Sequence, residues 1–318
     1  MRLINVLVTC TKQKTQEPHQ QLCLGSVLAG NISERAARWI DRVENFAGEP
    51  ISPQELYSGD HWAVSRGLAQ SARSGLSVQV WVVSAGYGLL SLDAPILPYS
   101  ATFSSRHPDC VVLAASVDDP ARSQKRDWWN ALSRGPWHRE RPWSIAHLAA
   151  EYPDCPMLIA ASANYLGAIQ DDVRAALERL DSPGLLSIIS AGSSPIDGLA
   201  ENQLPVDARL QPVVGGVLRS LNVRLLRHLI QDRAVGSMKN SALAKVCVRL
   251  LANAPQRTRI EREPISDSEL RSFVTAAIRE RSVVSQTRLL RELRDQGRAC
   301  EQTRFRNLFR EVQEGVHG

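Results

Sequence analysis

The sequence predicts an α/β fold, in which helices flank a mainly parallel sheet and a small helical domain follows at the C-terminal end. Short apolar runs typical of buried strands alternate with stretches of helical period, as in β–α–β units. The last quarter of the chain shows helical periodicity only. A length of 318 residues, with 43% hydrophobic and 22% charged side chains, is sufficient for both parts.

The individual elements follow from these runs. Four apolar runs predict strands, at Leu3–Val8, Val78–Val83, Met157–Ala161 and Leu185–Ile189. Stretches of helical period between and after them predict helices at Ser33–Phe46, Trp62–Ala72, Asp171–Leu180 and Gly216–Gln231. The predicted domains are an α/β catalytic domain over 1–235 and a basic helical domain over 236–318.

A segment at about 100–155 is too long for a loop and reads as an insertion in the first domain. It contains four tryptophans interleaved with arginines: Trp128, Trp129, Trp137 and Trp143. Two interpretations stay open. The tryptophans stack on exposed bases, or they pack into the core of a helical insertion whose arginines are solvated.

The C-terminal domain has the pattern of a helix-turn-helix or winged-helix-like fold. Ser266 to Glu269 form a capping-box signature before the helix Leu270–Arg281, and Gly297 separates two further helices. A basic last helix suits the major groove or the phosphates, and the predicted nucleic-acid-binding residues are Arg288, Arg304, Arg306 and Arg310. A purely structural or protein-contact role is the alternative.

The distribution of charge indicates the partner. Residues 236–318 have a net charge of +6, whereas residues 1–235 have −1. A basic appendage on a neutral body predicts a polyanion partner, DNA or alternatively RNA. No apolar run approaches the roughly 20 residues of a membrane span, and the start shows no signal-peptide pattern, so a cytoplasmic protein without a membrane partner is expected.

The sharpest chemical pattern is Cys10 followed by Lys12 and Lys14 at the exit of the first predicted strand. A thiolate beside an amine is a nucleophile with a proton source. An inert cysteine that ends a strand, with solvated lysines, is the alternative. The six cysteines are scattered without a Cys-x-x-Cys pair, and no metal or cofactor is expected.

Small and hydroxyl side chains follow the other predicted strands. Because ligands of open α/β sheets bind outside the carboxyl ends of the strands, these residues are candidates for substrate binding. The candidates are Ser84, Ala85, Gly86 and Gly88 after the second strand, and Ser162 and Asn164 after the third. Ordinary loop residues are the alternative.

Three stretches resemble a bacterial and phage domain family related to the YaaA-like proteins. They are Val6–Lys14, Glu55–Ser58, and Val83–Leu90 with Asp93 and Tyr99. The Cys-x-x-x-Lys arrangement of Cys10 and Lys14 is also similar to the core motif of archaeosine synthase. Thr15 and Gln16 stand where that motif has Pro-Tyr, which leaves the product open between an amide, an acid and a lysine adduct.

The resemblance implies an activity on the nitrile of 7-cyano-7-deazaguanine, as in the DpdC proteins of the bacterial 7-deazaguanine DNA-modification pathway. It implies Cys10 as nucleophile, Lys14 as proton donor or competing amine, and Lys12 as a phosphate ligand. Asp93 is the candidate for guiding water or reading the base edge, and Tyr57, Ser58 and Tyr87 for binding the deazapurine. A tRNA-guanine-transglycosylase-like enzyme is the implied protein partner.

Two other functions stay open at this point. One is a non-catalytic DNA-binding protein of stress or defence, as YaaA-like proteins are associated with DNA binding. The other is a glycosidase or transferase that acts on a nucleotide at the same edge of the sheet.

Overall fold

The computed structural model of the chain describes residues 2–113, 119–136, 142–233, 235–255, 262–281 and 284–317. The chain divides into two compact units, Met1–Pro255 and Gln256–Gly318. The larger unit contains a five-stranded sheet with helices against it, so the predicted α/β class with a mainly parallel sheet is confirmed.

The sheet of the larger unit has the strand order β3-β2-β1-β4-β5. The strands are β1 Arg2–Thr9, β2 Leu76–Ser84, β3 Gly88–Ser91, β4 Met157–Ala160 and β5 Leu186–Ile189. All neighbours pair in parallel except β3, which is antiparallel to β2. Strands β4 and β5 are buried along their whole length, as expected for parallel strands covered on both faces.

Ten helices belong to the larger unit in its described part. They are α1 Ile32–Asn45, α2 Pro53–Leu56, α3 Asp60–Ser65, α4 Leu68–Ser71, α5 Ala121–Leu132, α6 Ile145–Glu151, α7 Ala163–Leu177, α8 Gln211–Val214, α9 Leu221–Gln231 and α10 Asn240–Ala252. Helix α9 packs on β4 and β5, and α4 packs on β2. Helix α5 contacts both α1 and α7, so the predicted insertion is part of the core.

The four predicted strands are present with ends within two residues of the prediction, whereas the helices differ more. The helix expected at Trp62–Ala72 is two short helices, α3 and α4, with Gly67 between them. Glycine is a poor helix former because it loses the most backbone entropy on ordering. The helix expected from Asp171 begins at Ala163, directly after the exit of β4.

Two of the four tryptophans of the insertion are buried and cannot form an exposed stacking surface. Trp128 and Trp129 lie in the core, and their indole N–H groups donate to the Ala85 carbonyl at 2.8 Å and to Asp172 Oδ2 at 2.9 Å. The base-stacking interpretation is therefore wrong for these two. Trp143 stacks on the His147 ring, and Trp137 lies outside the described residues.

The smaller unit has its own core. It contains helices α11 Asp267–Glu280, α12 Gln286–Asp295 and α13 Gln302–His317, and the two-residue strands β6 Glu263–Pro264 and β7 Arg298–Ala299. The predicted capping box is formed by Ser266 and Glu269, and Gly297 adopts φ +79° after α12. Apolar side chains of all three helices fill the centre, including Leu270, Leu289 and Phe305. Helix α10 packs with the larger unit through Leu243 and Cys247.

Candidate active site at the carboxyl edge of the sheet

The carboxyl ends of β1 and β4 meet at the point where the strand order reverses. From β1 the chain crosses to β2 on one side, and β4 later pairs with the other side of β1. Ligands of open α/β sheets bind at such a switch point, because the connections leave in opposite directions and open a crevice. Cys10 follows β1 and Tyr165 follows β4, so both lie at this point.

The Cys10 sulfur is held by a hydrogen bond with the Tyr165 hydroxyl, at 3.1 Å between Sγ and Oη. Burial raises the pKa of the Tyr165 phenol well above its usual value, and the negative charge of Cys10 raises it further. The phenol therefore stays protonated and can donate to a thiolate. Cys10 is 7% exposed, and its backbone N–H continues the β1–β2 ladder to the Val83 carbonyl. The candidate nucleophile Cys10 is therefore held by both its backbone and its side chain.

Lys14 is brought back over the site by a tight loop after Cys10. Lys14 pairs with Tyr57 in an antiparallel bridge, and the Thr11 hydroxyl donates to the Ser58 carbonyl at 3.1 Å. Gly59 follows with φ +90°, and a Cβ there would collide with the Gln13 amide. Residues 57–59 therefore hold residues 11–14 in place, and we call residues 11–14 the lysine loop. Ser58 contacts the lysine loop through its backbone carbonyl and N–H groups.

The Lys14 ammonium lies over two tyrosine rings, 4.5 Å from the centroid of Tyr99 and 5.6 Å from that of Tyr57. It also donates to the Thr11 carbonyl at 3.4 Å. Burial lowers the pKa of Lys14 below 10.5, and the charges of Cys10 and Asp109 oppose that shift. An amine with a lowered pKa gives up and regains a proton more readily near neutral pH than a solvated lysine does.

A chain of three hydroxyls runs beside this amine. Ser84 Oγ accepts from the backbone N–H groups of Gly86 and Tyr87, at 3.2 and 3.1 Å. Since both lone pairs are then used, its own proton goes to Tyr99 Oη at 2.7 Å. The Tyr99 and Tyr57 hydroxyls form the next hydrogen bond, at 2.8 Å between their oxygens. We call Ser84, Tyr99 and Tyr57 the hydroxyl relay.

Tyr57 lies at the end of the hydroxyl relay, and its hydrogen bonds with Tyr99 and Ser84 only partly offset the effect of burial on its pKa. Burial and the charge of Cys10 raise the pKa of Tyr57 and of Tyr99 well above the usual value, so both phenols stay protonated. Tyr57 is therefore a neutral hydrogen-bond donor within electrostatic reach of Cys10. Such a donor can stabilise negative charge that develops on a substrate atom, because its position and orientation are fixed before the reaction begins.

Tyr87, Ala85, Gly86 and Gly88 support the hydroxyl relay and are all buried. The Tyr87 hydroxyl accepts from the Leu97 N–H at 2.9 Å, and its ring packs edge-on against Tyr99. The carbonyls of Ala85 and Gly86 accept from the indoles of Trp128 and Trp39. Of these four residues, which were predicted to bind substrate, Gly86 and Tyr87 directly support Ser84 and Tyr99.

Gly86→Ala is expected to displace the Tyr99 ring. A Cβ at this position would collide with Cε2 and Cδ2 of Tyr99, which is fully buried and cannot move freely. The free energy of unfolding should fall by about 1–3 kcal/mol, as for other overpacked sites. Gly167→Ala in α7 is the control, since no atom lies within 4 Å of the new Cβ there. Urea titration measures both; equal stability of Gly86→Ala and the parent chain would contradict this packing.

A second polar group, around Asp109, acts on Lys14 by its charge. Asp109 accepts from the Gly25 N–H at 2.8 Å and from the Ser100 hydroxyl at 2.6 Å. His107 lies beside it, and burial together with the charges of Lys12 and Lys14 lowers the pKa of this histidine. Asp109 is the carboxylate that acts on Lys14 by charge, and it partly offsets the cost of burying the ammonium.

His61 contacts the backbone of the residue before Cys10. Its Nε2 is 3.1 Å from the Thr9 carbonyl, and burial lowers its pKa, so the neutral ring donates from Nε2. Its neighbour Asp60 accepts from Ser220 Oγ and forms an ion pair with Arg224. His61 therefore ties the end of β1 to α3.

The predicted residues after β4 lie at the same edge. Ser162 is the N-cap of α7, is exposed, and makes no capping hydrogen bond with its side chain. Asn164 Oδ1 accepts from the Lys125 ammonium at 2.9 Å. Lys125 is buried, and burial lowers its pKa. This adds a second amine at the N-terminal end of α7.

Two predicted catalytic residues do not join the site. Strand β3 starts at this edge, with Gly88 opposite Ser84, but runs antiparallel to β2 and carries the chain away. Asp93 follows the far end of β3 and is exposed, so the strand does not bring it to Cys10, and its role with water or the base edge stays a prediction. Lys12 is on the lysine loop but is exposed, in contrast to Lys14.

The predicted nucleic-acid-binding arginines differ in their availability. Arg288 pairs with Glu292, and Arg304 donates from Nε to Asp267 at 2.8 Å and from Nη2 to the Ile265 carbonyl. Arg304 therefore holds α13 against the start of α11. Arg306 and Arg310 are exposed and form no ion pair with a described residue.

Sequence reasoning missed Tyr165, Asp109 and Lys125 as parts of this site. Tyr99 belonged to the stretch that carried the resemblance, but no role was assigned to it. Only Lys125 had a signal in the sequence: lysine is scarce, with five among 38 basic residues, and Lys125 is one of the five.

Comparisons with protein-family models, curated proteins and solved structures give no match. Among the described residues, no three His, Cys, Asp or Glu side chains are grouped so as to hold a metal ion. In the same residues, no helix is long and apolar enough to span a bilayer.

Proposed function

We propose that the chain is a DNA-modification enzyme that converts the nitrile of 7-cyano-7-deazaguanine in DNA to the carboxamide through a Cys10 thioimidate. The observation that supports this most is the placement of Cys10 at the switch point of the sheet. There its sulfur is hydrogen-bonded to Tyr165, and the buried amine of Lys14 is close enough for their charges to interact. The choice of a nitrile as the reacting group rests on the similarity of the Cys10 and Lys14 motif to the core motif of archaeosine synthase.

The first step forms a bond between the sulfur and the nitrile carbon. The Cys10 thiolate attacks that carbon, one π bond of the nitrile breaks, and its electron pair moves to nitrogen. The nitrogen takes a proton from the Lys14 ammonium, giving a thioimidate. The Tyr57 hydroxyl, oriented by the hydroxyl relay, donates to the nitrogen as the charge develops.

The second step consumes water. The neutral Lys14 amine accepts a proton from water as the oxygen attacks the thioimidate carbon. The tetrahedral intermediate then collapses: the remaining hydroxyl proton moves to nitrogen, the carbon–oxygen double bond forms, the carbon–sulfur bond breaks, and Cys10 leaves as thiolate from the carboxamide. Lys14 ends the cycle as an ammonium, so one nitrile and one water give one carboxamide.

A base within a duplex cannot reach this edge unless it leaves the stack. The smaller unit, with three helices and a glycine turn between α12 and α13, is proposed as the helix-turn-helix that holds the DNA. Binding to the backbone would then offset part of the cost of flipping the base.

The reaction is tested with the full chain and an oligonucleotide that contains one 7-cyano-7-deazaguanine. Nucleoside mass spectrometry should show a product heavier by one water, and ¹⁸O-labelled water should place the label in the carboxamide. Binding of the oligonucleotide without any product would favour the non-catalytic DNA-binding protein instead. Release of the free base would favour the glycosidase.

A further inference from the structure

The smaller unit contains a groove that the sequence analysis did not assign. It has a volume of about 240 Å³ and lies along α12, from Thr287 near its start to Asp295 at its end. Three arginines line it, Arg262, Arg291 and Arg294, and Gln302 at the start of α13 completes it. None of these residues belongs to the set predicted to bind nucleic acid. We call this the α12 groove.

The three arginines of the α12 groove lack carboxylate partners among the described residues. Other arginines of this unit form ion pairs, as Arg271 does with Glu311 and Arg298 with Glu263 and Glu269. Asp295 is the single acidic residue that lines the groove. The three arginines and Asp295 therefore give the groove a formal charge of +2 at pH 7, and no arginine of the groove is in an ion pair with a described residue.

Two of these arginines are held in place by backbone carbonyls. Arg262 Nε donates to the Arg294 carbonyl at 3.0 Å, and Arg294 Nη2 donates to the Cys300 carbonyl at 3.0 Å. Each still has further guanidinium N–H groups to offer. Like charges held side by side repel one another, so this arrangement is stabilised by an anion between them.

We propose that the α12 groove binds the phosphodiester backbone of duplex DNA. Guanidinium groups match phosphate oxygens in pairs, and the Thr287 hydroxyl and Gln302 amide add neutral donors. The proposal deepens the proposed function, on which it rests for DNA as the substrate. It assigns the main phosphate contact to α12 and Arg262, and not to the α13 arginines.

The experiment compares Arg291→Ala with Arg262→Ala/Arg291→Ala in the full chain. Arg294 is left intact because it supports Cys300. Fluorescence anisotropy with a labelled duplex of unmodified DNA, repeated over a range of salt concentrations, gives the affinity and its salt dependence. The double variant should bind at least about tenfold more weakly, and its salt slope should fall by about two, one for each lost phosphate contact.

The control is Arg279→Ala, which removes the same charge from an exposed arginine of α11 outside the groove. It should change the affinity far less than Arg291→Ala does. Equal losses in both variants, or an unchanged salt slope in the double variant, would overturn the proposal. So would displacement of the DNA by polyglutamate at an equal concentration of charge, which would indicate an acidic protein partner. Thermal unfolding checks that each variant is folded.

This binding assay is independent of the chemistry. If the double variant loses affinity while no nitrile is consumed, the α12 groove stands and the proposed reaction fails. If product forms and the double variant binds as tightly as the parent chain, the reaction stands and the groove assignment fails.

Discussion

Cys10→Ser is expected to abolish conversion of the nitrile while leaving the affinity for DNA unchanged. The hydroxyl of serine is a far poorer nucleophile than a thiolate, and water must then attack the nitrile without a covalent intermediate. The loss of kcat should be on the order of 10³-fold or more. The measurement is product formation by nucleoside mass spectrometry, together with fluorescence anisotropy on the same oligonucleotide.

Cys155→Ser is the matched control for the nucleophile. Cys155 lies just before the start of β4, at the opposite edge of the sheet, and is also a free cysteine. This variant should retain full activity. In the parent chain, a denaturing gel or intact-mass spectrum should show a transient adduct between protein and oligonucleotide, absent in Cys10→Ser. Full activity of Cys10→Ser would leave the proposed mechanism without its nucleophile.

The sheet could be predicted from the sequence because its central strands are buried on both faces. Such strands require continuous apolar runs, and the runs at Leu3–Val8 and Met157–Ala161 coincide with β1 and β4. Strand β3 was missed because only three residues separate its start from the end of β2, within the stretch of small residues that was interpreted as a substrate-binding loop. Because β3 runs antiparallel to β2, Asp93 lies at the end of β3 that is far from Cys10. No local sequence pattern indicates whether a chain turns back after a strand or continues.

The contents of the site could be predicted only in part. Cys10 and Lys14 were found because strand, turn and lysine follow one another within a few residues. Tyr165 is 155 positions from Cys10 and reaches it only because β4 pairs beside β1. That pairing is a property of the strand order, which apolar periodicity does not specify.

Buried and exposed aromatic residues also look alike in sequence. Trp128 and Trp129 were open to either interpretation, because arginines surround them. In the structure they face α7 and the Ala85 carbonyl, and each indole N–H has an acceptor. A buried tryptophan needs such a partner, and only the tertiary structure shows that one exists.

Substitutions of Lys14 are expected to lower turnover strongly, after Cys10→Ser, because the amine is required in both steps. Lys14→Met removes both the proton donor and the base, and turnover should fall by about 10²- to 10⁴-fold. Lys14→Arg keeps the positive charge near Cys10 but cannot give up its proton, so it can neither protonate the nitrile nitrogen nor accept a proton from water. Quenched reactions analysed by intact-mass spectrometry should therefore show less protein–oligonucleotide adduct in both variants than in the parent chain, and turnover in Lys14→Arg should be as low as in Lys14→Met.

The pH dependence of the release step follows from the same amine. Release needs the neutral form, so its rate in the parent chain should rise with pH and level off above the pKa of Lys14. Burial places that pKa below 10.5, so the inflection should also lie below 10.5. Lys14→Arg should show no such inflection. A pH-independent release rate in the parent chain would assign the base to another group.

Stability should respond to pH in the direction that a buried amine requires. Because the pKa of Lys14 is lower in the folded chain than in the unfolded chain, the unfolded chain binds more protons between the two values. The free energy of unfolding should therefore gain a contribution as the pH rises through the folded pKa toward 10.5. Lys14→Met lacks this contribution and should be at least as stable as the parent chain at pH 7. A variant that is inactive yet not destabilised indicates that Lys14 is retained for chemistry, whereas a marked loss of stability with full activity would indicate a packing role.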